Sequence, residues 1–285
     1  MDTLNNIKPT YTLNCKGELL VLNRPKIMGI LNTTPDSFFD GGQYNRVDNA
    51  LARVEKMLRE GADILDIGGY STRPGAVEVT ESEEIDRAAT VIAHIKKHFP
   101  KAILSIDTFR ANVARACIKE GAAIVNDISA GDDDTEMIPY VAKANIPYII
   151  MHKQGTPQTM QNNPQYSNVV QEVVAYLAQK VALLRSMGVN DIVIDPGFGF
   201  GKTVQHNYQL LKHLNAFSAC GVPILVGLSR KSLINKALGI KAAEALNGTT
   251  VVNTLALQNG ANILRVHDVK EAKEAIDLVQ IYMLQ

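Results

Sequence analysis

The stretch IVIDPG at residues 192–197 is an apolar run that stops at Asp195 and continues into a Pro-Gly turn. Short continuous apolar runs are typical of strands buried on both faces, as in parallel sheets covered by helices. Seven more runs have this form, at residues 27–31, 64–67, 103–106, 123–125, 148–151, 224–226 and 263–266. The residues at which the runs stop include Asn32, Asp107 and Asn126. We therefore expect these polar side chains to converge on one rim.

Segments with helical periodicity separate the apolar runs. They lie at residues 47–60, 81–98, 110–120, 135–143, 166–187, 205–214, 232–238, 242–259 and 268–285. Strand and helix alternate eight times, and 285 residues suit one (β/α)8 barrel, a TIM barrel, better than two stacked domains. The pattern predicts an α/β fold with a single domain over residues 1–285.

A short hairpin is predicted before the barrel begins. Residues 11–15 and 19–22 read as strands on either side of a turn at Lys16 and Gly17. We expect this hairpin, residues 11–22, to plug the N-terminal mouth of the barrel.

Charge and cysteine content exclude several classes of partner. The chain is 46% hydrophobic and has 29 basic and 29 acidic residues, so no net field attracts nucleic acid. No apolar run is long enough to span a membrane, and the first ten residues contain no signal-peptide core. Cys15, Cys117 and Cys220 are odd in number and far apart, as is typical of reduced thiols. We expect a cytoplasmic protein with small-molecule substrates and neither a membrane nor a nucleic-acid partner.

Two motifs resemble binding sites but have simpler explanations. PGFGFGKT at residues 196–203 approaches a nucleotide P-loop, but Pro196 stands at the first glycine position and donates no N–H. His94 and His98 have metal-ligand spacing on a predicted helix. They lie in its last turn, where cations interact favourably with the helix dipole, so no metal site is predicted there.

Several aspartates outside the main pattern have structural explanations of differing strength. Residues 132–134 are three aspartates before a predicted helix, where they would serve its N-terminus and face water. Asp66 and Asp127 border strand ends. For these two, a loop-bracing role and a functional role are equally consistent with the pattern.

Seven blocks follow the predicted strands in order. They are NTTPDSF at 32–38, GGYSTRPG at 68–75, Asp107, Asn126, DPGFGFGK at 195–202, SRKS at 229–232 and RVH at 265–267. This ordered set resembles the dihydropteroate synthases, a family of pterin-binding enzymes, and the resemblance covers residues 11–285.

The resemblance implies a transferase of folate biosynthesis. It would condense 6-hydroxymethyl-7,8-dihydropterin pyrophosphate with 4-aminobenzoate to give 7,8-dihydropteroate and pyrophosphate, by dissociative substitution at the pterin methylene carbon. The implied cofactor is Mg²⁺. Sulfonamides are implied competitors of 4-aminobenzoate, and a homodimer is the implied assembly, with helices such as 242–259 at its interface.

Under this resemblance, five residues would bind the pterin. An ionised carboxylate accepts two N–H donors at once, so Asp195 is expected to read the pyrimidine edge. Asn126 supplies mixed contacts and Asp107 faces the other ring nitrogens. Met151 packs on the ring face, although a place in the barrel core explains it equally well, and Lys231 donates to the ring carbonyl.

The pyrophosphate requires positive charge at one place on the rim. Arg265 and His267 flank one intervening residue, so their side chains should leave the strand in the same direction and form an anion clamp. With Asp107 and Lys231, they form the expected catalytic set. Asn32 would hold Mg²⁺ through its amide oxygen, although it also suits a cap of the following turn. Thr72 and Arg73 are the other pyrophosphate ligands that the resemblance implies.

The 4-aminobenzoate would need an aromatic wall and donors for its carboxylate. Phe200, Pro74 and the stem of Lys231 are expected to form the wall, and Ser232 to receive the carboxylate. The loops that carry Phe38, Thr72 and Arg73 would close over this subsite; these residues too are assigned from the resemblance.

One position departs from the family pattern, and two other functions remain open at this point. Tyr70 stands where an acidic residue is commonest, which affects the detail of the second loop. A methyl-folate methyltransferase would share the barrel and the pterin-reading carboxylates but would not need the phosphate clamp. A non-catalytic pterin-binding protein would keep Asp107, Asn126 and Asp195 while being free to lose Asn32.

Overall fold

The computed structural model describes residues 10–33, 43–70, 79–155, 160 and 164–285. The strands in these residues are β1 (Tyr11–Cys15), β2 (Glu18–Leu22), β3 (Lys26–Asn32), β4 (Ile64–Gly68), β5 (Ile103–Asp107), β6 (Ile124–Asp127), β7 (Tyr148–Met151), β8 (Ile192–Asp195), β9 (Leu225–Val226) and β10 (Ile263–Val266). The helices are α1 (Gln43–Glu60), α2 (Glu81–His98), α3 (Ala111–Lys119), α4 (Met137–Ala144), α5 (Val169–Ser186), α6 (Val204–Lys212), α7 (Ser232–Leu238), α8 (Leu246–Gln258) and α9 (Val269–Met283).

Strands β3 to β10 form one parallel sheet that curves into a barrel. Their spatial order is β8-β7-β6-β5-β4-β3-β10-β9. A parallel bridge between Ile194 and Ile224 joins the two ends, where the Ile194 N–H donates to the carbonyl of Pro223 at 3.0 Å. Helices follow the strands along the chain, so the predicted (β/α)8 barrel is confirmed.

The N-terminal hairpin covers the bottom of the barrel, as predicted. Its buried side chains join an apolar cluster with the first inward-facing residue of most strands: Leu13, Cys15, Leu20, Leu22, Met28, Ile64, Ile124, Ile149, Val193, Leu225 and Ile263. Polar contacts add to this packing, because the Asn14 N–H donates to Asp191 Oδ2 at 2.8 Å and Lys16 Nζ donates to the Ile118 carbonyl at 2.6 Å. The hairpin therefore leaves the opposite end of the barrel for ligands.

The barrel interior changes from apolar to polar one layer above the hairpin. Successive strand residues point to opposite faces, so the residue two positions along each strand faces the same interior. Counting from the apolar layer, those positions are Ile30, Asp66, Ser105, Asn126, Met151, Asp195, Gly227 and Arg265. This layer contains carboxylate, amide and guanidinium side chains inside the barrel. We therefore place the candidate site above it, at the carboxyl ends of the strands.

Two helical regions differ from the sequence prediction for local reasons. A 3₁₀ helix at Leu214–Cys220 was not predicted; the Ser218 hydroxyl donates to the Asn215 carbonyl at 2.7 Å, a local bond that competes with α-helix formation. The predicted helix 242–259 is divided into a 3₁₀ turn at Ala242–Glu244 and α8. No helix in the described part of the chain is long and apolar enough to cross a membrane.

Candidate active site

The guanidinium of Arg265 is held between two carboxylates at the centre of the rim. Arg265 donates from Nε to Asp66 Oδ2 and from Nη2 to Asp107 Oδ2, each at 2.6 Å. Asn126 Nδ2 also donates to Asp66 Oδ2, at 3.0 Å. Burial opposes the charge on Arg265, but the two flanking carboxylates outweigh it and raise the pKa of the guanidinium. The four side chains thus form one charge-assisted network.

Burial also changes the ionisation of Asp107. Desolvation raises its pKa to about 7, a shift that Arg265 opposes and Asp66 reinforces. Asp66 is fully buried, and its Oδ1 atom has no hydrogen-bond partner in the described structure; neither does Oγ of Ser105, its register partner on β5. Unsatisfied buried polar atoms carry a free-energy cost, so they mark a place where a polar ligand or water would be stabilised.

A second cluster forms where β8 meets α7. Asp195 ends β8 and accepts the N–H of Gly197 on Oδ1 at 2.7 Å. Lys231, at the N-cap of α7, donates to the carbonyl of Phe198 at 2.6 Å, and its ammonium lies 4.8 Å from the centre of the Phe200 ring. A Cβ placed on Gly227 would lie 3.7 Å from Lys231 Nζ and 3.9 Å from Asp195 Oδ2, so the missing side chain leaves room between the two charges.

The charges of this second cluster modify one another. Burial raises the pKa of Asp195, whereas the neighbouring Lys231 lowers it. Burial lowers the pKa of Lys231 to about 8, and Asp195 opposes this shift. Both groups therefore titrate closer to neutrality than they would in water, as functional groups often do.

Two more of the predicted pyrophosphate ligands, His267 and Asn32, lie in the described part of the chain. His267 Nδ1 lies 3.0 Å from the hydroxyl of Ser229, and its backbone carbonyl accepts a bond from Arg53 at 2.9 Å. Asn32 Oδ1 and Asp107 Oδ2 both lie within 4 Å of the position that a Cβ on Gly68 would take. The expected Arg265–His267 clamp stays a prediction, because the guanidinium of Arg265 binds two carboxylates and the imidazole of His267 contacts the Ser229 hydroxyl.

Asp66 and Asp127, whose roles the sequence left open, have different contacts in the structure. Asp127 accepts bonds from the N–H and hydroxyl of Ser129, the N–H of Gly131 and the hydroxyl of Tyr148, so it braces the loop after β6. Asp66 instead orients the side chains of Arg265 and Asn126. The sequence carried one signal for this role: Asp66 interrupts an otherwise apolar strand, where a charge requires a partner.

The histidines and aspartates to which no metal or ligand site was assigned contact other groups of the protein. The Nδ1 atoms of His94 and His98 each lie within 2.9 Å of the carbonyl four residues earlier on α2. Asp132 pairs with Lys180 and accepts the hydroxyl of Tyr176 at 2.8 Å. Among the described residues, no group of three or more His, Cys, Asp or Glu side chains is placed to hold a metal.

The predicted 4-aminobenzoate residues are only partly described. Phe200 and Lys231 are in contact, and the exposed Ser232 begins α7 beside them. Met151, a predicted pterin ligand, is buried at the end of β7 and pairs in register with Asp195. The other predicted ligands lie outside the described residues: Phe38, Thr72, Arg73 and Pro74.

Tyr70, the departure from the family pattern, packs in an aromatic-cation cluster. Its ring lies edge-on to that of Phe109, with centroids 5.7 Å apart, and the guanidinium of Arg110 lies over both rings at 5.5 and 5.1 Å. Arg110 is held in turn by the buried carboxylate of Glu84 at 2.8 Å and the carbonyl of Val79 at 2.9 Å. Tyr70 thus anchors the first end of the second loop through Arg110.

Comparisons with known proteins show which proteins this chain is similar to. The model of a family described as pterin binding enzyme matches residues 28–267. A curated dihydropteroate synthase of Haemophilus influenzae is 46% identical over 270 residues, which are 94% of this chain and 98% of the relative. The dihydropteroate synthase of Escherichia coli K12 is 42% identical over 94% of this chain and 95% of its own length.

Solved structures of dihydropteroate synthases have the same fold. The Yersinia pestis protein in a sulfonamide drug complex has a TM-score of 0.90 and 40% identity, covering 96% of this chain and 100% of its own. The Xanthomonas albilineans protein with 4-aminobenzoic acid has a TM-score of 0.90 and 40% identity, covering 96% and 99%. A complex of the latter protein with 7,8-dihydropteroate has a TM-score of 0.86 and 37% identity, covering 96% and 99%.

Proposed function

Because this chain belongs to the dihydropteroate synthases of the pterin-binding enzyme family, we propose that its polar rim condenses 6-hydroxymethyl-7,8-dihydropterin pyrophosphate with 4-aminobenzoate. The products are 7,8-dihydropteroate and pyrophosphate, a step of folate biosynthesis. The observation that carries the assignment is the buried network in which Arg265 pairs with Asp66 and Asp107, beside the second cluster of Asp195 and Lys231. These residues offer acceptors, donors and charges of both signs within one barrel mouth.

The pterin is proposed to lie over this layer. Asp195 uses one oxygen to accept the Gly197 N–H, so its Oδ2 atom, facing Gly227, is the acceptor for N–H groups of the pyrimidine edge. Lys231 donates to the ring carbonyl, Asn126 supplies an amide oxygen, and Met151 packs on the ring face. The unsatisfied Oδ1 of Asp66 supplies a further acceptor beneath the ring.

Substitution begins with cleavage of the bond between the pterin methylene carbon and the pyrophosphate oxygen. The electron-rich ring delocalises the developing positive charge, and the carboxylates of Asp107 and Asp195 stabilise it electrostatically. The lone pair of the 4-aminobenzoate amine then forms the carbon–nitrogen bond, and the nitrogen loses a proton to water. An aromatic amine is neutral at pH 7, so no covalent nucleophile or activating base is required.

The leaving pyrophosphate is proposed to bind Arg265, His267, Thr72, Arg73 and Asn32. Enzymes of this family generally use Mg²⁺. The residues present fit such an ion, since Asn32 and Asp107 offer oxygen atoms around Gly68 and Mg²⁺ takes its other ligands from phosphate and water. Bound there, it would neutralise the charge of the departing pyrophosphate.

The 4-aminobenzoate is proposed to stand between Phe200, Pro74 and the stem of Lys231, with its carboxylate at Ser232. Phe38, Thr72 and Arg73 would cover it. Sulfonamides, which share the aromatic amine, are expected to compete at the same place.

The direct test is product formation by the purified protein. With the pterin pyrophosphate, 4-aminobenzoate and Mg²⁺, we expect 7,8-dihydropteroate and one equivalent of pyrophosphate. Omission of Mg²⁺ should lower the rate. Complete absence of product from folded protein under these conditions would disprove the assignment.

The pH dependence of kcat/KM provides a second test. Asp107 has a raised pKa of about 7, so acidification should protonate the carboxylate that stabilises the cation. Lys231 has a lowered pKa of about 8, so alkaline pH should remove its donated charge. We expect a bell-shaped profile whose limbs lie near these two values. Asp107→Asn should remove the acid limb and Lys231→Arg should move the alkaline limb upward; a flat profile for the unaltered protein would contradict both roles.

The exposed apolar face of α8 and α9 is proposed to bind a second copy of the chain. Val251 and Leu255 on α8 are 52% and 40% exposed, and Leu278, Ile281 and Tyr282 on α9 are 68%, 59% and 67% exposed. Several exposed large apolar side chains on two helices that pack against each other are typical of a symmetric interface.

Sedimentation should therefore give a mass of two chains at micromolar concentration. Leu278→Glu is expected to shift the mass to that of one chain. Leu183→Glu is the matched control, because Leu183 is a similarly exposed leucine, 45%, on α5. A monomeric mass for the unaltered chain would refute the dimer.

A further inference from the structure

The loop between β8 and α6, residues 196–203, is folded around the ammonium of Lys202. Lys202 is 2% exposed, and its Nζ donates to the carbonyls of Gly197 at 2.9 Å and Phe200 at 3.0 Å. The same nitrogen lies 3.0 Å from Nδ1 of His152 and 3.3 Å from its carbonyl. The interior of this P-loop-like sequence thus presents carbonyl oxygens, which bind a cation and repel phosphate.

The glycines of the loop allow its carbonyls to point in alternate directions. Gly197, Gly199 and Gly201 all have positive φ, at 73°, 84° and 67°. As a result, the carbonyls of residues 197 and 200 face Lys202 inside the loop, whereas the carbonyl of Phe198, between them, faces Lys231 at 2.6 Å. One side of the loop binds the buried lysine and the other side contacts the candidate active site.

The loop is also pressed against the segment that follows β7. A Cβ on Gly197 would lie 1.9 Å from the carbonyl oxygen of His152, and one on Gly201 would lie 2.5 Å from that of Gln154. The Tyr166 hydroxyl donates to the Gly201 carbonyl at 2.9 Å. Lys202 contacts both the loop and His152, which directly follows β7. Its removal would therefore break a link between these two segments.

We propose that Lys202 is a positioning residue for Lys231 and Phe200. Its ammonium holds the carbonyls of Gly197 and Phe200. The carbonyl of Phe198, which lies between them in the chain, orients Lys231, whose ammonium lies over the Phe200 ring. The inference deepens the proposed function, because these two residues are the wall and the donor assigned to 4-aminobenzoate and the pterin. Lys202 itself does not touch the substrates.

The cost of burying this ammonium supports a specific role. Burial lowers the pKa of Lys202 to about 7, and Asp195 opposes the shift. A methionine would fill the same space without that desolvation cost, but it would remove the ammonium donor of the Phe200 carbonyl and leave the Gly197 carbonyl with only the Phe200 N–H, at 3.1 Å. The lysine therefore maintains loop geometry that an apolar residue of similar length would not maintain.

The test compares Lys202→Met with Lys16→Met in the full-length protein. Lys16 is a matched control, since its ammonium also donates to a backbone carbonyl, that of Ile118, but at the opposite end of the barrel. For Lys202→Met we expect the KM for 4-aminobenzoate to rise at least tenfold, with a smaller rise in the KM for the pterin pyrophosphate. Lys16→Met should leave both KM values within twofold.

A readout without substrates separates this proposal from the proposed function. Amide hydrogen exchange of residues 197–201 should be at least tenfold faster in Lys202→Met and unchanged in Lys16→Met, whatever reaction the protein catalyses. Lys202→Gln, which keeps two N–H donors, should be intermediate in exchange and KM and serves if the methionine variant does not fold. Unchanged loop exchange, or equal KM changes in both methionine variants, would overturn the proposal.

Discussion

Arg265→Ala is expected to lower kcat by about 10²–10³-fold, the usual effect of removing one preorganised charge from an active site. The variant should also be destabilised. Asp66 and Asp107 would lose the guanidinium that both bind at 2.6 Å, and removing one partner of a buried ion pair costs about 3–5 kcal/mol. Steady-state kinetics and urea unfolding would measure the two effects separately.

Two further variants define the origin of this loss. Arg265→Lys keeps the positive charge but not the planar fork that reaches both carboxylates, so it should recover stability better than activity. His267→Ala removes a proposed pyrophosphate ligand without leaving these carboxylates unpaired. This variant should bind the pterin pyrophosphate more weakly, while its affinity for a pterin without phosphates should stay nearly unchanged. An Arg265→Ala protein with full activity would refute the central role of the network.

Asp195→Asn is expected to weaken pterin binding by about 2–3 kcal/mol, which is roughly 30- to 150-fold in the dissociation constant. The fold should survive, because the asparagine Oδ1 can still accept the Gly197 N–H that Asp195 accepts at 2.7 Å. The new amide NH₂ would then replace the Oδ2 acceptor and meet the N–H donors of the pterin. Calorimetric titration with a pterin lacking phosphates would measure the change.

Asp127→Asn is the matched control for this prediction. Asp127 is also a buried carboxylate at a strand end, that of β6, which β7 separates from β8, but its bonds go to Ser129, Gly131 and Tyr148. The control should lose stability and keep its affinity for the pterin. If both variants bind the pterin as the unaltered protein does, Asp195 is not the residue that reads its edge.

Local patterns in the sequence were sufficient to predict the barrel and the rim. Burial on both faces makes each barrel strand an apolar run, and parallel strands bring their carboxyl ends to one side. The positions of Asn32, Asp107, Asn126 and Asp195 at these ends followed from that rule. Helix 81–98 was predicted from its periodicity with the observed bounds of α2, and in the structure Thr80 and Glu83 form a capping box at its start.

The sequence by itself therefore determined the fold class, the hairpin and which strands carry polar ends, since strand periodicity and turn chemistry are local properties. Only the tertiary structure decided how those ends are paired. Arg265 binds Asp66 and Asp107, which lie 199 and 158 residues away, and such partners are set by closure of the barrel. Tertiary packing also decided the direction of the Lys202 side chain. Its ammonium binds the Gly197 carbonyl of its own loop and the His152 carbonyl of the segment after β7, and the two segments meet only in the folded barrel.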